Sequence, residues 1–155
     1  MHSIDGLVAK LAAVSCLALA SLAAQALELR GFRGLAWGHG VEALGPSRVV
    51  QVEGEVSCHE REHENLLFGE QPVKQIRYCF HKNHLFMVTV DAASSLKAMA
   101  SEFGLSYGQP RARLTNRATW GTTSSVARAE LVALPRDASA SRLTIRSNRF
   151  EPVSL

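Results

Sequence analysis

The chain has 155 residues, 46% of them hydrophobic, with 17 lysines and arginines against 14 aspartates and glutamates and a net charge of +3. That length suits one domain with a real core. No internal repeat, low-complexity tract or long linker breaks it, and the mild basicity leans on arginine, the residue that forks onto phosphate and carboxylate.

Residues 1–26 read as a cleavable secretory signal peptide: a lead ending in Lys10, an apolar run from Leu11 to Ala24, and an A-x-A site at Ala24-Gln25-Ala26. The run is rich in alanine and serine and too short for a hydrocarbon core of ~30 Å. After cleavage the protein is therefore not expected to be integral to a membrane. Lipidation at Cys16 is disfavoured, because Ala13-Val14-Ser15 lacks the usual leucine three residues before the cysteine. The expectation is a periplasmic protein whose residues 27–155 form one domain. With Cys16 removed, Cys58 and Cys79 remain, and an even pair in an oxidising compartment is most simply one disulfide.

Along that domain, Gly31 to Gly38 is a short extended segment punctuated by glycines, and Val41 to Leu44 can make one helical turn before Gly45-Pro46 stops it. Val49, Val50, Val52 and Val56 mark a β-rich stretch running toward Cys58. Val73 to Phe80 and Leu85 to Val90 alternate on either side of His81-Lys82-Asn83-His84, a hairpin pattern. Leu96, Met99, Ala100 and Phe103 then fall on one helical stripe, with Ser94 or Ser95 as N-cap and Gly104, Gly108 and Pro110 closing the helix. The last third returns to period two. Ala112, Leu114, Ala118 and Trp120 are expected on one face, as are Ala127, Ala129, Leu131 and Ala133, then Leu143 and Ile145, with turns at Gly121-Thr122-Thr123 and Pro135-Arg136-Asp137. The fold expected is α+β: an antiparallel sheet of roughly six to seven strands with one amphipathic helix, about 94–104, packed on one face.

Phe32-Arg33-Gly34-Leu35-Ala36-Trp37-Gly38, Asn65 to Gly69, Ile76 to Phe80, Tyr107-Gly108-Gln109-Pro110 and Trp120 resemble motifs of a group of small, exported, uncharacterised bacterial proteins. These Gly, Pro and aromatic motifs fix turns and cores, so the resemblance implies a fold and an envelope location and no activity. A looser architectural likeness is to small α/β envelope modules that bind other proteins, such as outer-membrane assembly lipoproteins and the β-lactamase inhibitor protein.

Cys58-His59-x-x-x-His63 and Cys79-x-His81-x-x-His84 offer Zn or Cu ligands, so a metal site on His59, His63, His81 and His84, with or without the cysteines, is one alternative. On a strand, however, Cys58 and His59 point to opposite faces and His59 lies ~13 Å from His63. No serine sits in a G-x-S-x-G elbow, no glycine-rich phosphate loop is present, and Glu53, Glu55, Glu60, Glu62, Glu64 and Glu70 read as a solvated acidic edge. A hydrolase with an unrecognised site is a third reading, with no catalytic residue to name.

Arg111, Arg113, Arg117, Arg128, Arg142 and Arg146 alternate with the apolar residues of the last third, which gathers them on the outer face of the sheet. Such a patch suits an acidic protein or an anionic surface. Nucleic acid is not expected as a partner, since that face lacks stacking aromatics. The leading expectation is a non-enzymatic, cofactor-free envelope scaffold that binds a protein or an anionic surface.

Overall fold

The computed structural model describes residues 28–152, so the expected signal peptide and Cys16 lie outside the described residues. The glycine-punctuated start folds back on itself: β1 (Gly31–Phe32) pairs with β2 (Leu35–Ala36) around Arg33 and Gly34, both at positive φ. A 3-10 turn at Val41–Leu44 follows and ends at Gly45.

The valine-rich stretch is two strands rather than one run. β3 (Ser47–Glu53) and β4 (Val56–Arg61) reverse at Gly54-Glu55, where Gly54 takes φ +58, a conformation open to glycine at no steric cost. Val49 faces His59 while Gln51 faces Cys58, so Val50 is the extra residue of a β-bulge.

After the two-residue β5 (Leu67–Phe68), β6 (Gln71–His81) and β7 (His84–Ala92) form the expected hairpin. Its turn residues Lys82 and Asn83 are both left-handed, the geometry of a two-residue connection. A second bulge, between Val73 and Gln75, brings Val73 onto the buried face of Ile76, Tyr78 and Phe80 despite its odd number.

Helix α1 (Leu96–Tyr107) starts at Ser95, whose hydroxyl accepts the amide of Ala98 at 3.3 Å. It runs through Gly104, three residues past the expected end, and stops at Gly108, whose amide returns to the Gly104 carbonyl at 2.9 Å. The last third holds four strands: β8 (Ala112–Leu114), β9 (Arg117–Trp120), β10 (Ala127–Leu134) and β11 (Asp137–Ser147).

Together these build a nine-stranded antiparallel sheet in the order β3-β4-β6-β7-β11-β10-β9-β8, with β5 on the start of β6. The count exceeds the expected six to seven because short turns at Gly54-Glu55 and Thr115-Asn116 split apparent single runs, and because β5 is too short to carry a period. The broad class, an antiparallel sheet with one helix on one face, is as expected.

One face is covered. Helix α1 lies against β6, β9, β10 and β11, and Phe103 packs 4.7 Å from the ring of Trp120 and 4.5 Å from that of Tyr107. The β1-β2 hairpin adds Phe32, 6.1 Å from Tyr78, and Trp37 is fixed by its indole N–H to the Leu29 carbonyl at 2.6 Å. This inner face carries the core, including Tyr78, Val88, Val90, Leu131, Leu143 and Ile145, each fully buried. The opposite face has no secondary-structure layer over it among the described residues.

Candidate functional site

Strand register sorts the side chains of that uncovered outer face into rows. Arg117, Val132, Arg142 and Asp91 are successive cross-strand neighbours; so are Thr119, Glu130, Thr144, Thr89 and Arg77; so are Arg128, Arg146, Met87, Cys79 and Cys58. Each outer residue alternates with a core residue, such as Leu143 and Ile145 between the three outer positions of β11, so the pattern that builds the core also aims these groups outward.

Four of the six expected arginines, Arg117, Arg128, Arg142 and Arg146, share this face. Arg111 and Arg113 do not. Arg113 pairs with Ala118, placing it on the helix side at the sheet edge, and Arg111 lines a cleft there with Tyr107 and Trp120. The cause is the two-residue turn Thr115-Asn116, which flips the phase, so that Ala112 and Leu114 face outward while Ala118 and Trp120 face the core. Arg77 belongs to the face instead. It alternates with Ile76 and Tyr78 on β6, a signal present in the sequence outside the last third of the chain.

The arginines are arranged on carboxylates. Asp91 takes Arg142 in a forked contact, Nε at 2.5 Å and Nη2 at 3.1 Å, and Arg77 at 3.4 Å. Glu151 takes Arg128 at 2.5 Å and Arg146 at 3.0 Å, and Arg117 lies 3.5 Å from Glu130. Burial raises the Glu151 pKa, but the hydrogen bonds from Arg128 and Arg146 outweigh it and hold the carboxyl below its ordinary range. Asp91 in turn raises the pKa of Arg142. Five arginines thus share these three carboxylates, and toward β3 the same face adds Arg48 against Glu60 and Glu53, which leaves a surplus of one positive charge among these residues.

Two shallow grooves cross it. One, of about 400 Å³, is lined by Arg77, Arg142, Arg146, Thr89 and Thr144, with the buried disulfide, Phe86 and Met87 as its apolar part and Glu53 at its β3 end. The other, of about 360 Å³, is lined by Arg128, Arg146, Glu130, Thr119 and Thr144. The Nε–H of Arg77 is buried and meets no acceptor among the described residues. A buried donor without a partner is costly; this one is closed to solvent, while the side chain that carries it lines the groove and is 25% exposed.

The disulfide itself is closed. Cys58 and Cys79 stand directly opposite on β4 and β6 with Cα atoms 4.0 Å apart. The segment that follows β11 folds over it: Phe150 packs on the cluster of Cys58, Cys79 and Phe86 and stacks on His84 at 5.6 Å, while Asn148 donates to the carbonyls of Thr122 and Ser125.

The histidines are not brought together. His59 is on the inner face, while His81 and His84 oppose each other on the outer face and His63 sits in the turn beyond β4. Among the described residues no group of three or more His, Cys, Asp or Glu side chains is placed to hold a metal ion, and both sulfurs are bound to each other. His59 Nε2 meets Ser57 Oγ at 3.0 Å, with its ring edge on Phe80. No carboxylate among the described residues orients that ring, and burial lowers its pKa.

Of the acidic edge, Glu64 is not solvated. Its carboxylate accepts the Tyr78 hydroxyl at 2.6 Å and Arg33 Nη1 at 2.7 Å, with Arg61 at 3.9 Å. Arg33 also donates to the carbonyls of Asn65 and Leu67, which anchors the β1-β2 turn and accounts for its positive φ. Burial first, and the hydrogen bond to Glu64 second, raise the Tyr78 pKa, so the hydroxyl stays protonated and donating.

No family model, curated protein or solved structure matches the chain. No described helix is long and apolar enough to cross a membrane.

Proposed function

We propose that the protein is a non-enzymatic binding module of the periplasm, exported by its first 26 residues, whose outer sheet face holds an acidic segment of a partner protein. The observation that carries this reading is a groove of about 400 Å³ lined by three guanidinium groups, Arg77, Arg142 and Arg146, together with Thr89 and Thr144. A carboxylate is an acceptor of the right charge for them, and forked arginines favour planar anions.

The same face argues for protein over a lipid or lipopolysaccharide surface. Asp91, Glu130 and Glu151 are interleaved with the arginines, and such carboxylates are repelled by a continuous sheet of phosphates. A partner protein can match alternating charge and place apolar atoms against Phe86 and Met87.

The test is titration of the disulfide-closed protein with an aspartate- and glutamate-rich peptide, read by NMR at the arginine Nε–H groups. Saturable shifts led by Arg77, lost in Arg77→Gln and weakened in Arg146→Gln, support the reading. Equal binding by all three proteins, or stronger retention on phosphatidylglycerol vesicles than on peptide, overturns it. Export is tested separately: recovery of the protein with Met1 intact from the cytosolic fraction rejects the periplasmic assignment.

A further inference from the structure

Strand β3 ends the sheet, and among the described residues nothing pairs with its free edge. Natural edge strands are usually kept short, strongly charged, bulged or covered. β3 is seven residues long and displays Val49, Val50 and Val52 at 55%, 39% and 67% exposure. Val49 and Val52 oppose His59 and Ser57 and so lie on the inner face, away from α1, which packs mainly on β6, β9, β10 and β11. The apolar face of the sheet continues past its cover.

We propose that β3 is a dimerisation edge, pairing antiparallel with β3 of a second copy about a two-fold axis between Val50 and Gln51. The choice of occupant rests on self-complementarity. In that register Arg48 meets Glu53 of the other copy twice, and Val49 meets Val52 twice. A two-fold axis perpendicular to a sheet keeps each face on its own side, so partners across it must share a face. Arg48 and Glu53, five residues apart, would normally lie on opposite faces of a strand. The bulge at Val50 removes that conflict: Arg48, Gln51 and Glu53 oppose Glu60, Cys58 and Val56 on the outer face, and both valines are on the inner one.

The bulge, usually a device for spoiling an edge, here makes the strand match itself. Pairing joins two nine-stranded sheets through main-chain hydrogen bonds, the four valines close a shared apolar strip, and the two charge pairs fix the register. Arg48 is 73% exposed even while it contacts Glu60 of its own chain, so it can reach a second carboxylate.

The interface is small, so the dissociation constant is expected on the order of micromolar. Sedimentation equilibrium of the purified, disulfide-closed protein is expected to show a concentration-dependent dimer. Val52→Lys, at an exposed position, abolishes it without altering the monomer's circular dichroism. Arg48→Glu and Glu53→Arg each weaken it on the order of tenfold, and the double swap restores it. The contact of Arg48 with Glu60 cannot produce that rescue, because the swap does not rebuild it. A protein that stays monomeric, or a dimer indifferent to Val52→Lys and to the charge reversals, overturns the proposal. An edge that instead accepts foreign extended peptides appears as a monomer and is counted against it.

Discussion

Opening the Cys58–Cys79 bridge should cost about 3 kcal/mol, because the bond joins positions 21 apart and its removal frees a loop of that length in the denatured chain. The native side of the balance changes little. The two cysteines are already cross-strand partners between Val56↔His81 and His59↔Tyr78, so the ladder holds them in place when the bond is cut. Both residues are buried, and Phe86 packs on them. Replacing them with alanine therefore adds a packing loss of about 1 kcal/mol per site to the entropic term.

Urea denaturation separates the two effects. The oxidised protein, the same protein in excess dithiothreitol, and Cys58→Ala/Cys79→Ala should rank in that order of stability, with the first gap about 3 kcal/mol. The reduced form should also show a larger m value, since its denatured chain exposes more surface. Against a total of about 5–15 kcal/mol, the loss is easily measured. A reduced protein within about 1 kcal/mol of the oxidised one refutes the reasoning, because the constraint on the denatured chain would then be absent.

Tyr78→Phe removes one donor from the buried Glu64 carboxylate while leaving Arg33 on it, and should cost about 1.5–3 kcal/mol by the same denaturation assay; an unchanged midpoint would reduce the network to incidental contact. Stability should also fall with acid in two stages. Burial lowers the His59 pKa, so the folded protein keeps this ring neutral while the unfolded chain takes up a proton below about pH 6.5. That contribution is complete above pH ~6.5 and is lost as pH falls below it. Glu60 is lowered chiefly by its hydrogen bond from Arg48, and Glu151 is lowered by Arg128 and Arg146 against the effect of burial. Their contributions hold above the unfolded carboxylate value of about 4.3 and vanish as pH falls through the folded ones. His59→Gln should erase the upper stage alone, and identical stability profiles of the two proteins between about pH 7 and 5 would dismiss the histidine.

Period alone located what period controls. The β6-β7 hairpin, the single helix and its N-cap at Ser95, and the alternation along β10 and β11 are strong local signals, and they placed Arg128, Arg142 and Arg146 on the outer face. Arg111 and Arg113 depart from the expected face because Leu114-Thr115-Asn116-Arg117 turns without glycine or proline, and one such turn reverses every side chain before it. Val73 shares the face of Ile76, Tyr78 and Phe80 only because of a bulge, which counting cannot see. The carboxylates are the larger gap. Asp91 is 51 residues from Arg142 and Glu151 is 23 from Arg128, and no spacing rule connects either pair. Glu64 looked like one more member of a charge run; its burial depends on Arg33, 31 residues away, and on Tyr78. Long-range pairing, not propensity, decided the site.

The charge pairs on the outer face have partly exposed arginines, such as Arg142 at 43% and Arg146 at 44%, and pairs of that kind contribute little to stability. Their effect is on order instead. Asp91 and Glu151 each fix two guanidinium groups in place, so an incoming carboxylate meets donors that have already lost much of their rotational freedom. The two-fold arrangement through β3 bears on the same face. Its axis is perpendicular to the sheet, so the grooves of both copies open to one side, and Glu53 and Gln51 at the β3 end of each groove border the seam. A partner presenting two acidic segments would bind the second at the effective concentration set by the first, gaining avidity with no new contact. Val52→Lys should then weaken binding of a tandem acidic peptide while leaving the single peptide's affinity unchanged. Equal losses for both would mean that β3 shapes the groove itself and that the two copies do not cooperate.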